Sequence, residues 1–296
     1  MTDQEYLLGI LKLQELEDDS PEMKELRRQR DKVEALLREN FDSPRIRYGG
    51  SKAKGTLNKE SYDLDLTCYF PRDDNSAGST LKEIFEAVES ALQGKYAVRR
   101  KGSAVRLLDA LDSGDSHVDV VPGRFVDGDD GDVFLYSSSG EKERLKTNLD
   151  VHIEHVRESG VVDAIRLMKL WKERRGIPVK TFAIELLTID LLQGRTAHGL
   201  PEQLRHVFAQ VRDNADSITI KDPANPEGND LSELLDAGVR SRLRQECRDT
   251  LVTLETVGWA GVFASAEPRP DRERAAGVLT KVALSSPVPA KPWCAR

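Results

Sequence analysis

The sequence predicts an α+β protein with two lobes, a mixed β-sheet lobe followed by a helical lobe. Strand-like runs rich in β-branched residues dominate up to about residue 125, and apolar helical patterns dominate from about residue 150. The chain of 296 residues is long enough for both lobes. We expect N-terminal helices and the sheet core at 1–150, the helical lobe at 151–285 and an irregular tail at 286–296.

The N-terminal half begins with two helices. Residues 4–17 carry apolar side chains at helical spacing, and Ser20 followed by Pro21 is typical of the start of a second, charged helix. Strand-like runs follow at "RIRYGG", "DLDLTCYF", "YAVRRKGSAVRLLDA" and "HVDVVPGRF", with the helix "LKEIFEAVESALQG" between the second and third of them. We expect the N-terminal helix to brace both lobes.

Three segments define the helical lobe. "VVDAIRLMKLWKERRG" and "VKTFAIELLTIDLLQG" are strongly apolar, and each ends in glycine, as helix C-termini often do. The proline-rich loop "KDPANPEGND" then leads into a long helical pattern that begins at "LSELLDAGV".

The composition excludes several classes of protein. A net charge of −7 disfavours a large face for binding DNA or double-stranded RNA, because such binding depends on neutralising phosphates. No run approaches the ~18 apolar residues of a membrane span, and the N-terminus lacks the organisation of a signal peptide, so we expect a cytoplasmic protein without a membrane partner. The three cysteines are far apart in sequence, which argues against a disulfide framework and a zinc site.

Asp63 and Asp65 are two residues apart in a strand-like run. Their side chains therefore share one face of the strand, with Cα atoms ~6.5 Å apart. Two carboxylates at this distance suit a pair of divalent ions of the kind used in phosphoryl transfer. The alternative is a solvated strand face, but aspartate is depleted in strands and the neighbours Leu64 and Leu66 are apolar.

A glycine–serine turn precedes the acidic pair, with Ser51 twelve residues before Asp63. Gly50 lets the backbone approach a phosphate closely, Ser51 offers a hydroxyl, and Lys52 adds positive charge. A short helix beginning at Ser51 would favour a triphosphate further. The turn therefore predicts a nucleotide-binding site that includes Gly50, Ser51 and Lys52.

A third acid, Asp119, lies in the β-branched run "HVDVVPGRF". We expect Asp119 to bind the catalytic metal and to accept the proton of an attacking hydroxyl. The alternative is a buried structural carboxylate. The nearby His117 is interpreted as a structural or solvent-facing residue rather than a metal ligand.

The order G-S, then D-x-D, then a lone D in a later strand resembles the polymerase-β-like nucleotidyltransferase superfamily. Within it, the chain resembles the branch of oligoadenylate synthase, cyclic GMP–AMP synthase and the bacterial CD-NTases. "IRLMKLWKERR", "KTFAIELLTIDLL" and "KDPANPEGNDL" are similar to three further stretches of that branch, in the same order. The resemblance covers roughly residues 45–260. Without a zinc-binding insertion or a basic face, the chain looks more like a bacterial CD-NTase.

The resemblance implies roles for individual residues. Ser51 would contact the triphosphate, and Asp63, Asp65 and Asp119 would hold two magnesium ions, with manganese as the alternative. Lys169 would bind the outer phosphates. Thr181 and Phe182 align with residues that contact the donor nucleotide, the aromatic ring by stacking on its base. The alternatives are a solvated Lys169 paired with Glu173, and a Phe182 that belongs to the core.

The implied activity is the condensation of nucleoside triphosphates into a cyclic di- or trinucleotide with release of pyrophosphate. The substrates would be ATP together with GTP, UTP or CTP, and a downstream effector would sense the product in anti-phage signalling. Two other functions stay open: a terminal nucleotidyltransferase that acts on RNA or tRNA, and a catalytically silent nucleotide-binding relative. The bases, the linkage and the ring size are not evident from the sequence.

Overall fold

A mixed sheet forms the first part of the fold. The computed structural model describes residues 1–108, 110, 117–138, 143–229 and 231–264. Within these ranges the strands are β1 (Arg45–Tyr48), β2 (Leu64–Phe70), β3 (Ala97–Arg100), β4 (Val105–Leu108), β5 (Val118–Phe125), β6 (Val133–Tyr136) and β7 (Arg144–Thr147). They pair in the order β1-β2-β5-β4-β3, and β6 joins β5 to β7. The pair β2–β5 is parallel, and the other pairs are antiparallel.

Helices cover the sheet and form the second part of the fold. They are α1 (Asp3–Leu13), α2 (Pro21–Asn40), α3 (Gly50–Lys54), α4 (Leu81–Gln93), α5 (Leu149–Arg157), α6 (Val162–Arg175), α7 (Thr181–Leu191), α8 (Leu200–Asn214), α9 (Ala237–Thr256) and α10 (Trp259–Phe263). A 3-10 helix, Ser232–Leu234, precedes α9. In the part of the chain that the structure describes, no helix has the length and apolar character needed to cross a bilayer.

The helix ends show how local sequence sets the element bounds. The Ser20 hydroxyl accepts a hydrogen bond from the Met23 backbone N–H at 3.2 Å, and Pro21 opens α2 as predicted. Gly176 ends α6 in the left-handed conformation, with φ +58°. The end of α7 differs from the expectation, because the helix stops at Leu191 and Gly194 lies in the turn beyond it.

Two separate hydrophobic clusters account for the two lobes. Side chains of α2, α4 and the sheet form one, and side chains of α1 and α6 to α10 form the other. Consecutive helices, α1 and α2, thus belong to different clusters, and the segment between them is anchored by Gln14, whose side chain exchanges hydrogen bonds with Glu60. The predicted α+β fold with a bracing N-terminal helix is confirmed.

The C-terminal expectations fall on residues 265–296, which lie outside the described residues. These include the last part of the predicted helical lobe and the predicted irregular tail at 286–296. The boundaries at 150 and 285 stay predictions.

We expect Thr250→Val to destabilise the helical cluster. The Trp171 indole N–H donates to the Thr250 hydroxyl at 2.9 Å, and both side chains are fully buried. The change keeps the shape but leaves a buried donor unpaired, which costs about 1–3 kcal/mol of unfolding free energy. Urea denaturation measures this loss.

Thr253→Val is the matched control for this change. Among the described residues, the Thr253 hydroxyl donates to the Asp249 carbonyl of its own helix, at an exposed position. A midpoint that falls equally for both variants would contradict the importance of the buried hydrogen bond.

Candidate active site

The three predicted acids meet on one pair of parallel strands. The register of β2 and β5 places Asp65 directly opposite Asp119, and Asp63 stands immediately before β2. All three line one cavity of about 340 Å³. The intervening positions are buried apolar residues, Leu64, Leu66, Val118 and Val120. Because strand side chains alternate, burial of one face turns the acids to the cavity.

The electrostatics around Asp65 favour a bound cation. Burial, followed by the charges of Asp63 and Asp119, raises the pKa of Asp65 to about 6. Carboxylate oxygens are the donors that magnesium prefers, and a divalent ion would relieve the repulsion among three converging acids. The chemistry of these donors therefore suits divalent ions.

An arginine and a histidine contact the outer acids, Asp63 and Asp119. Arg106 of β4 is the cross-strand neighbour of Asp119 and donates from Nε and Nη2 to its two oxygens, at 2.8 and 2.7 Å. His117 Nδ1 lies 2.9 Å from Asp63 Oδ1, and its Nε2 lies 3.6 Å from Asp119 Oδ2. His117 thus contacts two of the acids, and Arg106 is a partner that sequence reasoning missed. Among the described residues, no group of three or more His, Cys, Asp or Glu side chains is arranged to hold a metal ion.

The glycine–serine turn packs against the acids. Gly49 N–H donates to the Asp65 carbonyl at 2.8 Å, and α3 begins at Gly50. Gly50 adopts φ +51°, and a Cβ atom at this position would lie 1.7 Å from Asp65 Oδ2. Only glycine fits this close approach. Ser51 follows at the rim that faces Asp65 and lines the cavity with it.

Lys52 points elsewhere. Its side chain lines a separate cavity of about 690 Å³ with Arg30, Arg47 and Arg157, and it lies 3.9 Å from Asp18. The structure therefore does not bring Lys52 together with the other predicted nucleotide-binding residues.

Lys169 reaches the turn from α6. Its Nζ donates to Ser51 Oγ at 2.6 Å and to the Thr56 carbonyl at 2.7 Å. The side chain is buried, so the alternative of a solvated lysine paired with Glu173 does not hold; Glu173 lies near Lys172 instead. Lys169 and Ser51 thus line the acidic cavity together.

Glu185 is a further buried residue that the sequence analysis did not single out. Its carboxylate accepts hydrogen bonds from Lys54 Nζ at 2.7 Å and Thr56 Oγ1 at 2.9 Å. It also lies 3.5 Å from Lys169 Nζ. The signal in the sequence is a single glutamate inside the apolar run "FAIELLTI", where an acid requires a buried partner.

Thr181 and Phe182 open α7 between two cavities. Both line the acidic cavity and a second cavity of about 350 Å³ that also contains Gly50, Ser51 and Asp65. The Phe182 ring lies 4.3 Å from Lys54 Nζ and 4.9 Å from the His152 ring, and it is only partly buried against the helical cluster. One side of the Phe182 ring therefore packs on the hydrophobic core, as the alternative interpretation expected. The ring also lines both cavities.

The second cavity has mostly apolar walls. They are formed by Leu66, Tyr69, Val121, Leu135 and Leu149 together with Phe182. His152 supplies a polar group, and its Nε2 lies 2.7 Å from Asp222 Oδ1 of the predicted proline-rich loop. Thus Asp222 fixes the orientation of a histidine on the cavity wall. The sequence alone does not predict this contact, because the two residues are 70 positions apart.

No protein-family model and no curated protein sequence matches the chain, so the comparisons rest on structure. CdnC of Escherichia coli MS115-1, solved with ATP, superposes with a TM-score of 0.66 at 20% identity, over 89% of this chain and 98% of that one. The cyclic dinucleotide synthase CdnE of Elizabethkingia meningoseptica, solved with GTP and Apcpp, gives 0.65 at 14% identity, over 86% and 99%.

A third solved structure gives a similar result. The Vibrio cholerae cyclic AMP-GMP synthase DncV, in complex with the linear intermediate 5′ pppA(3′,5′)pG, superposes with a TM-score of 0.59 at 14% identity, over 92% of this chain and 86% of that one. The resemblance inferred from the motifs is thus confirmed at the level of the fold, which the chain shares with CdnC, CdnE and DncV.

Proposed function

We propose that the protein is a nucleotidyltransferase that condenses nucleoside triphosphates into a cyclic di- or trinucleotide. The observation that carries the proposal is the juxtaposition of Asp63, Asp65 and Asp119 beneath a turn where Ser51 meets Lys169. The fold shared with CdnC, CdnE and DncV supports the same chemistry, and the intermediate bound to DncV matches a reaction in two steps.

Each residue has a part in the reaction. Ser51 and Lys169 hold the triphosphate of the donor nucleotide, and Phe182 with Thr181 contacts its base and sugar at the junction of the two cavities. The hydroxyl of the acceptor attacks the α-phosphorus, the bond to the β-phosphate oxygen breaks, and pyrophosphate leaves. Asp119 takes the proton, for which Arg106 has to release one carboxylate oxygen.

The three acids would hold two magnesium ions, or manganese in their place. When bound, the ions would stabilise negative charge on the attacking and leaving oxygens. A second reaction of the same kind within the site closes the ring.

The biological setting follows from the proposed product. A cyclic nucleotide is a diffusible signal, so we propose a cytoplasmic enzyme with a downstream effector that binds the product in anti-phage defence. ATP is the first substrate to test, followed by GTP, UTP and CTP.

The direct test incubates the pure protein with the four triphosphates and magnesium and identifies products by mass spectrometry. Asp63→Asn and Asp65→Asn should abolish the product, because each removes one anionic ligand from the acidic cavity. Asp130→Asn, at an exposed turn position, is the control and should keep full activity.

Product from either cavity variant would contradict the site assignment. A parallel reaction with labelled ATP and tRNA separates the rival function: label in RNA without cyclic product would favour a terminal transferase.

Gly50→Ala should lower the rate of product formation on the order of 100-fold, because the added methyl group displaces the Asp65 carboxylate. Gly55→Ala is a matched control at the other end of α3. Gly55 also has positive φ, +75°, but open space surrounds it. Both variants carry similar backbone strain, so equal losses of activity would show that the contact with Asp65 is unimportant.

A further inference from the structure

A buried cluster of charges lies beneath the serine turn. It consists of Lys54, Thr56, Lys169 and Glu185, and none of these is more than 7% exposed. Lys54 and Thr56 come from α3 and the loop after it, whereas Lys169 and Glu185 come from α6 and α7. The cluster therefore joins the sheet side of the active site to the helical side.

The two lysines have different partners. Lys54 Nζ lies between the Glu185 carboxylate, at 2.7 Å, and the face of Phe182, at 4.3 Å. Lys169 Nζ lies 3.5 Å from Glu185 and directs its hydrogen bonds to Ser51 and Thr56. Lys54 thus lies on the wall of the second cavity, and Lys169 lines the acidic cavity together with Ser51.

One carboxylate shared by two buried ammonium groups leaves one net positive charge. Burial opposes the charged form of each lysine, and the second lysine opposes it further. A single acid between them offsets both effects, since removing one partner of a buried pair leaves an uncompensated charge.

We propose that Glu185 is a positioning residue for the triphosphate: it supplies the counter-charge that keeps Lys169 protonated and aimed at Ser51 and holds Lys54 against Phe182. This inference rests on the proposed function, because it takes the ligand of the positively charged cluster to be the triphosphate of a nucleotide. Glu185 lines the second cavity beside Lys54, and its role is exerted through the two lysines that it pairs with.

The titration of Lys169 supports this arrangement. Burial lowers the pKa of Lys169 to about 8; Glu185 on α7 and Asp65 on β2 favour the charged form, and Lys54 on α3 opposes it. The protonated amine is the form that binds phosphate. Nucleotide affinity should therefore fall as the pH rises through about 8, and removing Glu185 should move this fall to lower pH.

The test measures the affinity of the full chain for a non-hydrolysable ATP analogue with magnesium between pH 6 and pH 9. In Glu185→Gln the fall in affinity should begin about one pH unit earlier than in the wild type, which makes binding about threefold weaker at pH 7.5 and about tenfold weaker at pH 9. Lys54→Met should move the fall in the opposite direction, to higher pH, because it removes the charge that opposes Lys169. The second variant keeps the test valid if the first does not fold.

Two controls separate positioning from general destabilisation. Glu246→Gln removes another buried acid, which pairs with Arg242 on α9, and should leave the pH profile unchanged. In a Lys169→Arg background, Glu185→Gln should not shift the pH dependence of affinity, because arginine stays charged over this pH range.

The possible outcomes are distinguishable. A wild type that binds no analogue contradicts the proposed function and this inference together. A wild type that binds normally, with the same pH profile in Glu185→Gln, overturns the role of Glu185 alone. Two-dimensional NMR of protein labelled with 13C-lysine follows the titration of Lys169 without nucleotide. If Lys169 titrates at the same pH in Glu185→Gln as in the wild type, the role of Glu185 is overturned.

Discussion

The parallel pairing of β2 with β5 is the constraint on which the site depends. Its register brings Asp65 and Asp119 opposite each other although 53 other residues separate them in the chain. A shift by one residue would turn the acids into the hydrophobic cluster and the leucines and valines into the cavity, so core burial and site geometry enforce the same register. The turn at Gly50 and Arg106 on β4 are both positioned by contacts with these two strands.

The helical side adds a buried lysine and its counter-charge to that acidic edge. Lys169 and Glu185 come from consecutive helices and meet the loop after α3, so neither lobe alone contains the complete site. The ionic contacts between these elements are buried and therefore sensitive to the loss of one partner. This explains why an apolar helix such as α7 carries a glutamate at its centre.

Much of the site could be predicted from sequence because it depends on short-range patterns. The two-residue period of a strand places Asp63 and Asp65 on one face, and a glycine before Ser51 signals a close backbone approach. The partners of these residues could not be predicted in the same way. Arg106 meets Asp119 through the register of β4 and β5, and Glu185 meets Lys54 across 130 intervening residues. Proximity in sequence can also mislead: Lys52 is adjacent to Ser51, but its side chain lines a different cavity.

The ion pair between Arg106 and Asp119 also bears on how the sheet balances its own charge. In proteins whose ligand clusters have no internal cation, metal binding contributes folding free energy, and chelators unfold the chain. Here a guanidinium already neutralises the third acid from the neighbouring strand. The charge of Asp119 is thus balanced within the sheet, so that β4 and β5 pair without leaving a buried carboxylate uncompensated.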